Sequence, residues 1–555
     1  MATAARPTPA PLRPKVANAK PKLGLRAWME RVLVECDRAA AGFDADPVHD
    51  LRVTLRRCRS LADGMIAIDP DSSWKEMKKA GRRLFQALGE LRDMQVMEEW
   101  IEKLGSGKGS SVHGSSNGPA ANAMLDDPVT VKLLDHIHAR EAECKQRAFK
   151  DLNQFDRKQW RAWARSLPQR ASRVRPGSAV YLHLALEKWT GAYDLHKRAV
   201  RTRSQISLHE LRIGIKRFRY TVENFLPRQH ASWGSDLKEL QDLLGDVHDL
   251  DVLWATAVEI AAFPDGESQT RWRERLHAER GKRIERYRAK MVGKDSLWRI
   301  WRAELPAGPS LRAAALSRLR TWAGYLDPDF LHSQRVAQLT LFLYDGLKGL
   351  GLLTAVAAAL SGDRQNEDRR NGDDDWRGIL QAAALLHDVG KAKGLDNHQK
   401  NSYRMIRGMA RPLGWSAREL ELVAVVARYH RGALPRPRGN TMQTLELPDR
   451  AVAMELAGVL RLANALDFRH DAGAAEGFPR LEVGLVDRSA IVRVAGYSAL
   501  DRSAENVAAA RHLLETVLRR PVVVRGLHVA AGHAAAQAAR KARTSLPARL
   551  SLRSG

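Results

Sequence analysis

Along most of this chain apolar residues recur three and four positions apart, the spacing of a helix face, while the period-two alternation of Val, Ile and Thr that marks strands is scarce. The pattern predicts an all-α protein. From Val48 onward, in VHDLRVTLRRCRS, a rotation of about 100° per residue puts Leu51, Leu55, Cys58 and Ala62 on one side of a helix. His49, Arg52, Arg56 and Arg59 fall on another. The regular pattern breaks at a basic, Pro-rich tail (1–24), a Gly/Ser-rich flexible insertion at about 105–122, a polar insertion at about 362–375 and an Ala/Arg/Ser-rich disordered tail (526–555). A further interruption, LPAGPSLR from Leu305, separates two helical domains, expected over 25–304 and 310–525.

The same amphipathic helix is written twice. VHDLRVTLRRCRS returns as LHELRIGIKRFRY from Leu208, so that His49 matches His209, Arg52 matches Arg212, Arg56 matches Lys216, Arg57 matches Arg217 and Arg59 matches Arg219 at one constant spacing. The buried side is repeated too, by Leu211, Ile215, Phe218 and Val222. A second matched pair follows, LGELRDMQVM from Leu88 and LGDVHDLDVL from Leu244, at a slightly smaller spacing. Each half is therefore one helical unit with the same order of parts. In this pair Arg92 stands where its partner has His248.

Charge changes the picture. Lys and Arg number 91 against 64 Asp and Glu, a formal net charge of +27 that no fold requires and that a polyanionic partner would explain. Nucleic acid, an anionic membrane surface and inorganic polyphosphate would each satisfy it. Like charges three and four residues apart repel by a few tenths of a kcal/mol per pair, so stability gives no reason for the stripes. A linear run of phosphates does, because each phosphate accepts paired hydrogen bonds from an Arg fork. Lys78, Lys79, Arg82 and Arg83 form another cluster in the first half, with Lys238 in the corresponding region of the second. Nucleic acid is the weaker candidate, since aromatic residues are not interleaved with the stripes for base stacking and no helix-turn-helix or zinc motif occurs. No stretch of about 18 apolar residues suggests a membrane span. The 3 cysteines lack CxxC spacing, which argues against a thiolate zinc site or a disulfide framework and fits a reducing cytoplasm.

Both repeats, over roughly residues 25 to 300, resemble the CHAD domain, a helical domain named for conserved histidines. The resemblance implies two four-helix units around a basic pore or cavity that binds inorganic polyphosphate; a cytoplasmic location, in association with polyphosphate granules, is the expectation that goes with such binding. The positions that match are His49, Arg52, Arg56, Arg57 and Arg59, with His209, Arg212, Lys216, Arg217 and Arg219. Lys79, Arg82, Arg83 and Lys238 would widen the same trough.

Beyond about residue 310 the motif changes. AAALLHDVGKAKGLDNHQKNSY from Ala382 brings His387 and Asp388 together after an apolar helical run, the signature of an HD domain. An imidazole and a carboxylate at a helix end can share a divalent metal ion, Mg, Mn, Fe, Co or Zn, and leave positions open for water and a phosphate oxygen. His332, His398 and His430 supply further ligands, and Lys391 a cation for the phosphate; Lys400, Arg404, Arg428 and Arg431 lie near the same motifs. In LRLANALDF, Asn464 stands at the position that resembles the usual HD-domain aspartate, with Asp467 a turn later as the alternative ligand. Residues 315 to 520 resemble the C-terminal HD-like domain of the exopolyphosphatase and guanosine pentaphosphate phosphatase family. That family's phosphatase site lies in actin-like domains whose Gly-rich phosphate loops are not found here, so exopolyphosphatase activity does not follow. Two functions are open: a polyphosphate-binding protein with a metal-dependent HD phosphohydrolase, using His387, Asp388 and Lys391, or a non-enzymatic scaffold that targets polyphosphate granules through a degenerate HD domain.

Overall fold

The computed structural model describes residues 24–105, 127–362, 375–467 and 480–527. The expected tails and insertions, apart from their flanking residues, lie outside the described residues. The chain divides into two compact units, Met1–Pro306 and Ala307–Gly555, with the boundary along the sequence in the Pro- and Gly-containing stretch after Leu305.

The first unit is helical throughout its described residues: α1 (Leu25–Ala40), α2 (Ala45–Ile66), α3 (Ser73–Ala80), α4 (Arg82–Gly105), α5 (Pro128–Asn153), α6 (Arg157–Ala171), α7 (Ala179–Thr202), α8 (Gln205–Phe225), α9 (Pro227–Glu259), α10 (Gly266–Met291) and α11 (Leu297–Ala303). Several starts are written in the sequence. Asp127, Asp156, Ser204 and Asp265 each accept a hydrogen bond from the backbone N–H three residues on, satisfying a donor that the helix itself cannot. The duplicated sequence makes a duplicated fold, in which α1, α2, α4 and α5 correspond to α7, α8, α9 and α10.

The predicted apolar faces are the buried ones. Leu51, Leu55, Cys58 and Ala62 on α2, and Leu211, Ile215, Phe218 and Val222 on α8, are almost wholly excluded from solvent. The halves meet where α2 packs on α8 and α4 on α9. At the first junction Gly64 admits the ring of Phe225, which stacks on Tyr181 at 4.3 Å. Glu223, buried on α8, ties the same junction by accepting from Arg57 of α2 at 2.6 Å.

The second unit continues with α12 (Gly308–Leu326), α13 (Phe330–Gly349), α14 (Thr354–Gly362), α15 (Asp375–Leu386), a short 3-10 turn (Val389–Lys393), α16 (His398–Gly408), α17 (Ala417–Arg428), α18 (Asn440–Gln443) and α19 (Leu447–Leu466). Its centre is apolar all round. Leu422 to Ala427 of α17 are buried without interruption, as expected of a helix enclosed on every side. Ser416 and Glu419 close the start of α17 as a reciprocal capping box. Buried Glu455 of α19 accepts from the N–H groups of Ala355 and Val356, at 2.8 and 3.0 Å, and caps α14 from outside its own sequence.

The all-α expectation describes the class, with one addition. A small sheet follows α19, in the order β1 (Leu481–Val486), β2 (Ser489–Ala495) and β3 (Val522–Leu527), with α20 (Ser503–Leu518) between the last two. β1 and β2 run antiparallel through a tight turn, whereas β2 and β3 are parallel and need the helical crossover.

Gly64→Ala tests the close approach of α2 and α8, because the added Cβ would lie 2.2 Å from Phe225 Cε2. Helix propensity alone favours Ala by up to about 1 kcal/mol. A net destabilisation of about 1–3 kcal/mol is expected from overpacking, seen as a lower unfolding midpoint by circular dichroism; an unchanged or raised midpoint would contradict the contact.

Candidate functional site

In the first unit cations of the two stripes come near one another and share neighbours. Arg52, Arg212 and Lys216, from α2 and α8, all act on Asp93 of α4, and Arg52, Arg56 and Arg212 together act on Lys216. Lys216 is pushed down to about 8, by burial first and then by these guanidiniums, against the opposing pull of Asp93. Arg52 lies over the Phe85 ring at 5.2 Å, its Nη1 buried without a hydrogen-bond partner in the protein. Arg56 of the first repeat and Arg219 of the second each lie 5.8 Å from the centroid of Tyr220. Lys238 joins the same region from α9, acting with Arg219 and Arg56 on Asp242.

Not every predicted cation is available. Arg57 is paired with Glu223, and Arg59 donates to the carbonyl of Lys78 at 2.7 Å while lying over Phe85 at 5.0 Å, so both serve the fold. Arg217, Lys79, Arg82 and Arg83 are exposed. The two opening histidines differ. His49 is exposed, and its pKa is lowered by partial burial and by Arg92 and Arg56. His209 lies with its Nδ1 3.4 Å from Nδ1 of His248, whose pKa burial, Arg212 and His209 push down to about 4.

Sequence reading passed over the carboxylates. Asp93 and Asp249 occupy the same place in LGELRD and LGDVHD, and both enter the cationic space. Burial pushes Asp249 up to about 6, with Asp93 and Asp246 adding to it and Arg212 and Arg92 opposing. The duplication itself was the signal that could have found them.

In the second unit His332, His387, His398 and His430 converge on Asp388, all buried. Asp388 is the hub. Its Oδ2 lies 3.3 Å from His387 Nε2 and 3.8 Å from His332 Nε2, and its Oδ1 lies 3.1 Å from His398 Nε2 and 3.5 Å from His430 Nε2. Rings of His398 and His430 stack at 5.3 Å, with their Nε2 atoms 3.3 Å apart.

Local structure aims these nitrogens. Nδ1 of His387, His398 and His430 lies 2.6, 2.8 and 2.8 Å from the carbonyls of Ala384, Leu395 and Ala427, each three residues earlier, which fixes the tautomer and turns an Nε2 lone pair toward Asp388. Ser402 locks the turn by donating to the His387 carbonyl at 2.6 Å and accepting from the Gly390 N–H at 2.9 Å. Against burial, which would raise it, the Asp388 carboxyl is held far below the carboxylate range by positive charge on the rings, His387 first, and Asp388 raises His387 in return, so a proton or a metal ion is what the inner nitrogens call for. His430 lies well below its ordinary value, chiefly through burial.

Acceptor atoms thus face one another. His387 Nε2 and Asp388 Oδ1 are buried and make no hydrogen bond, an arrangement that suits a cation. The ligand atoms form two groups that could each hold a metal ion, His332 with His387 and Asp388, and Asp388 with His398 and His430. Lys391 Nζ lies 2.5 Å from Asp388 Oδ2.

Asp467, expected as a ligand, is placed elsewhere. Its Oδ2 lies 2.6 Å from His332 Nδ1, on the far side of the ring, and both oxygens accept from Arg335 at 2.8–3.1 Å. It orients His332, and its carboxyl, which burial would raise, is held at about 2 by His332 and Arg335. Asn464 is the residue on the inner side, with Oδ1 3.0 Å from His332 Nε2.

These are two helical modules, one with a cation-lined space and one with a His/Asp centre. Residues 24–258 match the CHAD domain family, and residues 323–478 match the Ppx/GppA phosphatase, domain III family. The matches support a CHAD-like first unit followed by a Ppx/GppA-like C-terminal domain. It is similar to the CHAD domain from the plant Ricinus communis, known from a crystal structure, at 20% identity over 54% of this chain and 98% of that one, with a TM-score of 0.32. No protein of curated function matches it. Among the described residues no helix is long and apolar enough to cross a membrane.

Gly390→Ala would set a Cβ 2.1 Å from the His398 carbonyl oxygen and 2.4 Å from the Ser402 nitrogen, both backbone atoms that cannot swing aside. A destabilisation of about 3 kcal/mol is expected, with a loss of whatever divalent metal the wild type retains, measured by elemental analysis after dialysis. A variant that keeps both stability and metal content would show that the turn does not set the site.

Proposed function

We propose that the first unit binds inorganic polyphosphate along its shared cationic space and that the second hydrolyses a phosphoester or phosphoanhydride with bound divalent metal. The observation that carries the enzymatic part is the convergence of four imidazoles on the two oxygens of one buried carboxylate. His332, His387, His398, His430 and Asp388 would hold the metal. Once bound, such an ion acidifies a coordinated water and polarises a phosphoryl oxygen. Lys391 is placed to move from Asp388 to a substrate oxygen and neutralise charge there. Arg335 and Asp467 keep His332 oriented.

One observation favours the scaffold reading. Asn464, a weak ligand, occupies the inner position beside His332, and Lys391 already sets a positive charge on Asp388. Phosphate release separates the two. The wild-type chain, assayed with Mg, Mn, Fe, Co or Zn on polyphosphate and on phosphorylated nucleotides, is expected to release phosphate, and His387→Ala with Asp388→Ala to abolish it. Silence of the wild type with all five metals would leave the scaffold.

The binding part has a pH signature. Asp249 has a folded pKa of about 6, above the ordinary carboxylate range, so it is charged at pH 7 and neutral at pH 5. Removing that negative charge from a phosphate path favours binding, so polyphosphate affinity should rise as pH falls from 7 to 5, by up to about tenfold in all, since below about pH 6 the carboxyl is already protonated before the ligand binds. Asp249→Asn should bind at pH 7 as the wild type does at pH 5, with a flatter profile, by isothermal titration calorimetry at fixed salt. Equal pH slopes for both proteins would remove Asp249 from the path.

A further inference from the structure

Among the buried polar atoms that make no hydrogen bond within the protein are Arg52 Nη1 and Arg57 Nε of α2 and Tyr220 Oη of α8. Unpaired buried donors are uncommon in native folds, because each forfeits the hydrogen bonds it had in water. Two of these belong to guanidiniums that have other partners. Tyr220 Oη is the hydroxyl among them.

Its surroundings are cationic. Arg56 and Arg219, one from each repeat, lie over its ring, and Arg52 is near enough to feel its charge. The carboxylate of the junction, Glu223, is engaged by Arg57. A phenol O–H donates readily to an anionic oxygen, and the carboxylate that acts on it, Glu223, is drawn to Arg57 and Arg219 instead. The first repeat differs at the matched position, where Ser60 donates to the Arg57 carbonyl at 3.0 Å and accepts from Asn224 at 2.9 Å. One hydroxyl is absorbed by the fold and its counterpart is left over.

We propose that Tyr220 is a phosphate-binding residue shared by the two repeats, donating its O–H to a non-bridging oxygen of a phosphate gripped by Arg52, Arg56 and Arg219. This rests on the reading of the first unit as a polyphosphate binder. The hydroxyl adds a contact of a different kind from the stripes. Each cation gains affinity by releasing counterions and so loses effect as salt rises, whereas a neutral O–H releases none. Tyr220 supplies the part of binding that survives at high salt.

Tyr220→Phe in the full chain isolates the hydroxyl, since the ring and its cation contacts remain. Long-chain polyphosphate binding is measured by fluorescence anisotropy from 50 to 500 mM KCl, beside Arg56→Gln, with thermal unfolding of each free protein. The expected result for Tyr220→Phe is an affinity roughly tenfold weaker at every salt concentration, an unchanged slope of log affinity against log salt, and an unfolding midpoint equal to or above the wild type. Arg56→Gln should lower the slope by about one. Wild-type affinity in Tyr220→Phe, or a loss of affinity together with a lower midpoint, would overturn the assignment while leaving polyphosphate binding intact. Failure of the wild type to bind polyphosphate would overturn both.

Discussion

The first unit depends on holding two cationic helices against each other. Arg52, Arg56, Arg212 and Lys216 repel across the α2–α8 junction, and burial first, then the three guanidiniums, weaken the hold of Lys216 on its proton. What opposes this is the apolar side of each helix, buried along its length, together with the fit of Phe225 over Gly64, the Glu223 carboxylate that accepts from Arg57, and Asp93 and Asp249 facing the cations. Burial of a large apolar side chain is worth about 1.5–3 kcal/mol, and a repulsive pair at helical spacing costs a few tenths. The core therefore outweighs the repulsion, and the cationic surface persists as a standing demand for an anion.

The second unit solves the same problem with opposite sign. Acceptor atoms are driven together around Asp388 by a core that is apolar on every side of α17, and backbone carbonyls at the ends of α15 and α17 take the outward nitrogens of His387 and His430. Each ring is thereby left with one choice of direction for its lone pair. Because the ligands come from α13, the HD turn, α16 and α17, no local segment could assemble the centre; the tertiary fold must be complete first.

Much of this was legible in the sequence, for definite reasons. Helical periodicity sorted Leu51 and Leu55 from Arg52 and Arg56, and duplication gave both stripes a common purpose. The HD dyad and the spacing of His332, His398 and His430 named the residues that meet at Asp388. What escaped depended on long-range geometry. Asp467 faces Nδ1 of His332 because Arg335, far off in the chain, draws it there. Arg57 and Arg59 share a helix with Arg52 and Arg56, yet Glu223 and the Lys78 carbonyl claim them. Asp93 and Asp249 were passed over because a negative charge was not expected where positive ones had been counted. The strands are short segments after a long helical run, and the parallel pairing of β2 and β3 becomes visible only once α20 has folded between them.

The two repeats are alike in plan but not in detail. Arg92 stands opposite His248, and Tyr220 opposite Ser60. Such a surface has a left and a right, whereas inorganic polyphosphate reads the same from either end. On the function proposed above, a chain of that kind would enter in both senses and find the same contacts, giving two equivalent bound arrangements where a polymer with distinct termini would have one. The degeneracy is worth RT ln 2, about 0.4 kcal/mol, in favour of the directionless ligand. It also means that asymmetry between the halves can tune strength and register without ever sorting head from tail.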